Sequence, residues 1–184
     1  MKIMIFGYPG SGKSTAAKII GEKLNYPILN TDKILFNKDW VKKDINETNK
    51  LMKDFIDNNE SWIIEGNATN NLFEERASLA DIIIFTNLPR LVCYRQAKSR
   101  AKYFMDKERE DRPKDCKEKF TLSFRWWILF TSRIGKNRKK YNQILKKYKN
   151  KVINIKSRSE LDIFLKLVID NNSLEGLKNY ERKN

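Results

Sequence analysis

The hydrophobic positions of the chain fall into short continuous runs separated by longer stretches of mixed character. Five runs have the length and β-branched content of buried strands: Lys2-Ile3-Met4-Ile5-Phe6, Tyr26-Pro27-Ile28-Leu29-Asn30, Ser61-Trp62-Ile63-Ile64-Glu65, Asp81-Ile82-Ile83-Ile84-Phe85 and Lys151-Val152-Ile153-Asn154-Ile155. Between them, residues 15–24, 44–57, 72–79, 88 to about 105, 120–131, 138–149 and 159–170 read as helices. In the second of these, Ile45, Leu51, Met52, Phe55 and Ile56 are able to line one face. Residues 106–119 read as a polar connection, and 171–184 as a polar tail. Strands alternating with helices predict a doubly wound α/β domain over residues 1–170, with a parallel sheet and right-handed crossovers. Ligands of such sheets bind outside the carboxyl ends of the strands. That rule picks out residues 7–12, Thr31-Asp32, Glu65-Gly66-Asn67 and Thr86-Asn87, where polar residues cluster.

Composition narrows the chemistry. The chain has 184 residues, 40% of them hydrophobic, enough for a core. No apolar run approaches the ~18 residues of a membrane span. The first strand begins at residue 2 and leaves no room for a signal peptide, so a cytoplasmic protein is expected. Cys93 and Cys116 are the only cysteines and lack metal-ligand spacing. The absence of histidine excludes His-based dyads and triads and speaks against a zinc site. The net charge of +15 is uneven: residues 109–151 carry 15 Lys/Arg against 4 Asp/Glu, whereas residues 1–60 carry 10 Lys against 8 Asp/Glu. Such a block faces the phosphates of a nucleotide or of nucleic acid, or is simply a solvated face.

Gly7-Tyr8-Pro9-Gly10-Ser11-Gly12-Lys13-Ser14-Thr15 meets the pattern G-x-x-x-x-G-K-[ST] at every fixed position, after a strand and before a helix. Glycines let the backbone approach a phosphate closely. The loop amides and the positive end of the following helix then cradle ATP, Lys13 spans its β- and γ-phosphates, and Ser14 places a hydroxyl on Mg²⁺. Phe124, Trp126, Trp127 and Phe130 offer stacking surfaces, but at helical spacing they read as core. Cys93 reads as core too.

This loop, together with Leu29-Asn30-Thr31-Asp32-Lys33-Ile34, Trp62-Ile63-Ile64-Glu65-Gly66-Asn67, Leu88-Pro89-Arg90 and Arg112-Pro113, resembles the DNA topology modulation (FlaR-related) proteins, which are similar in fold to adenylate kinase and shikimate kinase. The resemblance runs from Met1 to about Leu167. It implies a three-layer α/β/α P-loop NTPase with a five-stranded parallel sheet in the order 2-3-1-4-5, a substrate-side segment at about 31–60 and a lid at about 105–120 with Cys116 in it. By the same resemblance Asp32 engages an acceptor hydroxyl, Glu65 orients Mg²⁺ through water, and Gly66, Asn67 and Trp40 meet the acceptor. Asp32 as a helix cap, Glu65 in an ion pair, Gly66-Asn67 as a plain turn and Trp40 as packing are the alternatives. Arg95 and Arg100 are candidates for the transferred phosphoryl group. Five residues turn about 500° around a helix, so the two do not share one face. Arg109 and Arg112 are lid candidates, with Arg112 on ATP. The chain departs from the family pattern at Asn70, where an Arg is usual, at Asn87, where an acidic residue is usual, and in a shortened lid without glycine. The expected function is a Mg²⁺/ATP-dependent kinase, monomer or homodimer, acting on a small nucleoside- or nucleotide-like acceptor. A nucleotide-binding regulator that acts on DNA is the second expectation.

Overall fold

A computed structural model describes residues 1–104, 111, 116 and 120–171. The five expected strands are present as β1 (Lys2–Gly7), β2 (Ile28–Asn30), β3 (Trp62–Glu65), β4 (Ile82–Thr86) and β5 (Val152–Ile155). They form one parallel sheet in the order β2-β3-β1-β4-β5. Ile3, Met4, Ile5 and Phe6 of the central strand are fully buried, because both faces of the sheet are covered. The register sets Ile5 and Asn30 beside Glu65, and Gly7 beside Thr86. The carboxyl ends of four strands are thereby brought to one edge of the sheet.

The helices are α1 (Lys13–Leu24), α2 (Thr31–Leu35), α3 (Ile45–Asp57), α4 (Phe73–Leu79), α5 (Arg90–Tyr103), α6 (Leu122–Leu129), α7 (Gly135–Lys147) and α8 (Arg158–Asn171), with short 3-10 turns at Lys38–Trp40, Thr131–Arg133 and Lys149–Lys151. α1 packs on α8. Elsewhere Phe6 of β1 meets Phe73 of α4 and Tyr141 of α7, each with ring centroids 5.2 Å apart. α3 starts where the sequence puts it: the Asp44 carboxylate accepts from the backbone N–H of Asn46 at 2.8 Å and of Glu47 at 3.2 Å.

Three expectations change. The segment after β2 is helical at once. Asn30 takes the N-cap position and Asp32 lies inside the first turn of α2, where the helix dipole favours a carboxylate. On α3 the buried stripe is Thr48, Met52 and Ile56, at strict i, i+4 spacing, with Phe55 partly buried; Ile45 and Leu51 stay exposed. Of the aromatic residues Phe124, Trp126, Trp127 and Phe130 around α6, only Phe124 packs against the core, and it is partly buried. Only Ile128 of this helix is buried, while Trp126, Trp127 and Phe130 are exposed. A helix apolar on every side gives no periodicity from which to tell the buried face. Cys93 is core as expected, and the Cys116 thiol lies 3.3 Å from the carbonyl of Asn37. Most of the expected lid, including Arg109 and Arg112, and residues 172–184 of the tail fall outside the described residues.

Candidate functional site

The glycine loop is held by backbone contacts and by its own buried side chains. Gly10 sits at φ +76°, and a Cβ there would lie 2.4 Å from the carbonyl oxygen of Cys93 on α5, so nothing larger than glycine fits. The Ser11 hydroxyl is fully buried, donates to the Tyr8 carbonyl at 2.6 Å and pairs with the Thr86 hydroxyl at 2.6 Å. The Tyr8 ring points inward, against Phe85 at 5.8 Å and under the guanidinium of Arg133 at 3.8 Å. Tyr8 and Ser11 therefore brace the loop, and it is the backbone of the segment that faces outward. Lys13 and Ser14, at the N-terminus of α1, line the cavity in front of it together with Pro9 and Gly10. Thr15 is exposed and lines an adjoining cavity. The Lys13 ammonium donates to the Tyr8 carbonyl at 3.0 Å. Burial lowers its pKa, and the carboxylates of Glu65 and Asp32 work against that shift.

Glu65 ends β3 and is almost wholly buried; its carboxylate accepts from the Ser14 hydroxyl at 3.2 Å. Gly66 follows at φ +125°, with the Thr31 hydroxyl where a Cβ would be, at 1.9 Å. This contact presses the end of β3 against the start of α2 and brings Asp32 to the same cavity as Glu65. The Asn67 side-chain oxygen accepts from the Gly7 N–H at 3.1 Å, tying the turn after β3 to the loop after β1. Beneath that turn lies Arg76, which sequence reasoning missed. It is fully buried, donates to the carbonyls of Asn67 at 3.3 Å and Ala68 at 3.0 Å, and stacks 5.3 Å from the Phe73 ring. Burial pushes its guanidinium down to about 9. An arginine among Leu72, Phe73 and Ala77 was the only signal in the sequence.

Lys13, Ser14, Asp32 and Glu65 open onto one cavity of about 650 Å³, within the range of small-molecule sites. Aromatic side chains enter it from two places. Phe36 and Trp40, with centroids 5.4 Å apart, come from the segment after α2, and Phe124 and Trp127, 5.6 Å apart, come from α6. Gly66, Asn67, Asn70 and Asn137 add polar groups to the lining. Lys140 reaches from α7 to hold Asn70, its ammonium 2.7 Å from the side-chain oxygen and 2.7 Å from the Thr69 carbonyl. A second cavity of about 1000 Å³ adjoins the first, sharing Gly10, Ser14 and Arg100 and adding Gly12, Thr15, Lys18 and Arg158.

The structure separates the two arginines of α5. Arg100 lines both cavities, whereas Arg95 is exposed and lines neither. Arg95 therefore lies away from the face that Arg100 presents, as five residues along a helix require. Arg133 is a second residue that the sequence did not single out. It donates to the carbonyl of Leu88 and stacks on Tyr8, so it joins the end of α6 to the loop and to the start of α5. Desolvation lowers its pKa. Phe124 and Trp127, read as core from the sequence, are cavity walls.

Comparison with known proteins agrees with this architecture. Adenylate kinase of Listeria monocytogenes is 33% identical over 95 residues, which is 50% of this chain and 42% of that enzyme, so the match spans less than half of its relative. Adenylate kinase of Petrotoga mobilis is 32% identical over 90 residues, 49% of this chain and 40% of the enzyme. Among solved structures, deoxyadenosine kinase from M. mycoides with bound dATP superposes with a TM-score of 0.56 at 18% identity, covering 94% of this chain and 100% of that one. A putative kinase from Chloroflexus aurantiacus gives 0.51 at 13% identity, covering 92% and 97%. At such identities the superpositions speak to fold. No helix among the described residues is long and apolar enough to cross a membrane. A family model described as AAA domain matches residues 6–119, well over half of the chain, and the protein belongs to that P-loop NTPase family.

Proposed function

We propose that the protein is an ATP- and Mg²⁺-dependent kinase that transfers the γ-phosphoryl group to a hydroxyl of a small nucleoside- or nucleotide-like acceptor. One observation carries the reading: a single cavity has the glycine loop, Lys13, two carboxylates and Arg100 in its walls, together with flat aromatic side chains suited to a base. The adenylate kinase relatives and the deoxyadenosine kinase neighbour support the acceptor class.

In this reading Lys13 exchanges the Tyr8 carbonyl for the β- and γ-phosphate oxygens, and Arg100 meets charge on the transferred group. The Asp32 carboxylate accepts the proton of the attacking hydroxyl, a task no histidine is present to perform. Phe36, Trp40, Phe124 and Trp127 hold the base, with Gly66 and Asn67 beside the acceptor. The Ser14 hydroxyl and the Glu65 carboxylate, 3.2 Å apart, fit a Mg²⁺ ion bound chiefly through phosphates, since no larger group of metal-binding side chains occurs among the described residues. Bound there, the ion would neutralise developing phosphate charge. Positioning and electrostatics supply the catalysis.

The DNA-directed reading, and with it the narrower topology-modulation family, draws on the basic surplus. Several of those cations are committed within the chain: Lys140 to Thr69 and Asn70, Lys147 to Glu74, and Lys151 to the carbonyls of Ser78 and Ala80. The kinase reading is the stronger one. An ATP-consumption screen over nucleosides, nucleotides and small alcohols tests it. Turnover is expected with at least one nucleoside or nucleotide and falls by about 10³-fold or more in Lys13→Ala. No turnover above the Lys13→Ala level on any acceptor would overturn it.

A further inference from the structure

α6 carries large apolar side chains on every side. Ile128 reaches the core, and Phe124 and Trp127 line the cavity. Leu122, Trp126 and Phe130, four residues apart, form a separate outer face, 78, 60 and 42% exposed. The backbone N–H of Phe130 still donates to the Trp126 carbonyl at 2.9 Å, which keeps the two in helical phase, and their rings lie 4.3 Å apart. The three side chains thus make one continuous ridge, extended along the chain by exposed Ile134. A helix apolar all round is ordinarily covered all round, and contiguous exposed apolar patches mark contact surfaces.

Charge identifies what covers it. Of the whole chain 33% is charged, yet residues 120–132 contain a single charged side chain, Arg125. That residue is turned back on its own chain, its Nε donating to the Phe120 carbonyl at 3.1 Å and its guanidinium 4.8 Å from the Phe120 ring. The ridge therefore lies in a nearly uncharged run of a chain of net charge +15. An anionic partner, whether nucleic acid or a membrane surface, is drawn to cations, and among the described residues the next exposed ones along the chain after the ridge, Lys136, Arg138 and Lys139, lie beyond it. Depletion of charge with enrichment in Trp and Phe is the composition of an interface core between proteins. A neutral apolar ridge is also complementary to itself across a two-fold axis. Two copies of so basic a chain repel each other less through an apolar ridge that carries no charge of its own than through a face of lysines.

We propose that the ridge of Leu122, Trp126 and Phe130 pairs with the same ridge of a second copy, forming a symmetric dimer. Since Phe124 and Trp127 lie on the same helix, the pairing also steadies one wall of the cavity. The inference stands independently of the kinase reading. Sedimentation velocity over a concentration series, at low and at high salt, tests it. The expected result is a species of twice the chain mass, more populated at high salt because screening relieves the repulsion between the copies. The double variant Trp126→Ser/Phe130→Ser sediments at the chain mass with an unchanged circular dichroism spectrum. Should that variant fold poorly, Trp126→Arg, which sets one cation against its symmetry mate, gives the same loss, and high salt partly reverses it. A wild-type protein that stays at the chain mass in every condition overturns the proposal. So does a dimer that these variants retain or that salt dissociates, and so does binding of anionic vesicles or single-stranded DNA by the monomer through these same residues.

Discussion

The two sides of the cavity are built on different principles. The loop at residues 7–15 is a backbone device: glycines at left-handed φ, and side chains of Tyr8 and Ser11 turned inward as braces. The side facing it is a side-chain device. It draws Asp32 from α2, Trp40 from the 3-10 turn just after it, Asn67 from the turn after β3 and Trp127 from α6, so three distant stretches of the chain contribute. A site half made of backbone is indifferent to most side-chain changes and intolerant of a single methyl group at glycine. A site half made of side chains changes its specificity one residue at a time, on an unchanged sheet.

That contrast is open to direct attack. The largest effect is expected from Asp32→Asn, which keeps the shape of the side chain and removes its basicity. Under the proposed mechanism kcat falls about 10³-fold while the KM for ATP moves little. Steady-state kinetics with both substrates varied measures this, and an unchanged kcat would remove Asp32 from the chemistry. Gly10→Ala attacks the other side. A Cβ 2.4 Å from the Cys93 carbonyl, at φ +76°, forces the loop to move. Strain of about 2–3 kcal/mol corresponds to a loss of roughly 100-fold in ATP affinity, read by calorimetry with a non-hydrolysable analogue. The acceptor KM extrapolated to saturating ATP stays within a few-fold. If both substrates weaken equally, the two sides are not separable as described. Trp127→Ala sharpens the contrast with the smallest effect. Loss of an aromatic contact worth about 1 kcal/mol, with some buried area, raises the acceptor KM by about tenfold and leaves ATP binding alone. A change confined to ATP binding would mean that the α6 wall serves the donor instead.

How much of this was legible in the sequence depended on whether a local rule or a distant contact decided the residue. The glycine loop was legible because a tight turn from strand to helix demands fixed residue types at fixed spacing. Asp44 was legible as a helix start because capping is a contact over three residues. Arg76 was not, because an arginine in sequence reads as a solvated charge. Its burial depends on two carbonyls, at Asn67 and Ala68, that the fold turns toward it. Arg95 and Arg100 were equivalent candidates until the seating of α5 turned one of them toward the cavities. On α3, Thr48 outranked Ile45 and Leu51 for the buried face, since position on the stripe decides burial more than side-chain apolarity does.

The helix α6 marks the limit most clearly. Its sequence announces only that it is apolar. Whether a given ring there faces core, cavity or outer surface is a matter of orientation, and a helix without a polar side carries no record of it. The sequence by itself determined the alternation of strands and helices, the parallel sheet and the glycine loop between β1 and α1, because each follows from interactions within a few residues or from a pattern of period two or 3.6. Tertiary structure alone decided which arginine of α5 lines the cavity with Ser14 and Lys13 and which aromatic rings line it beside them. Those are contacts between segments tens of residues apart, fixed by the order and register of the strands that carry them.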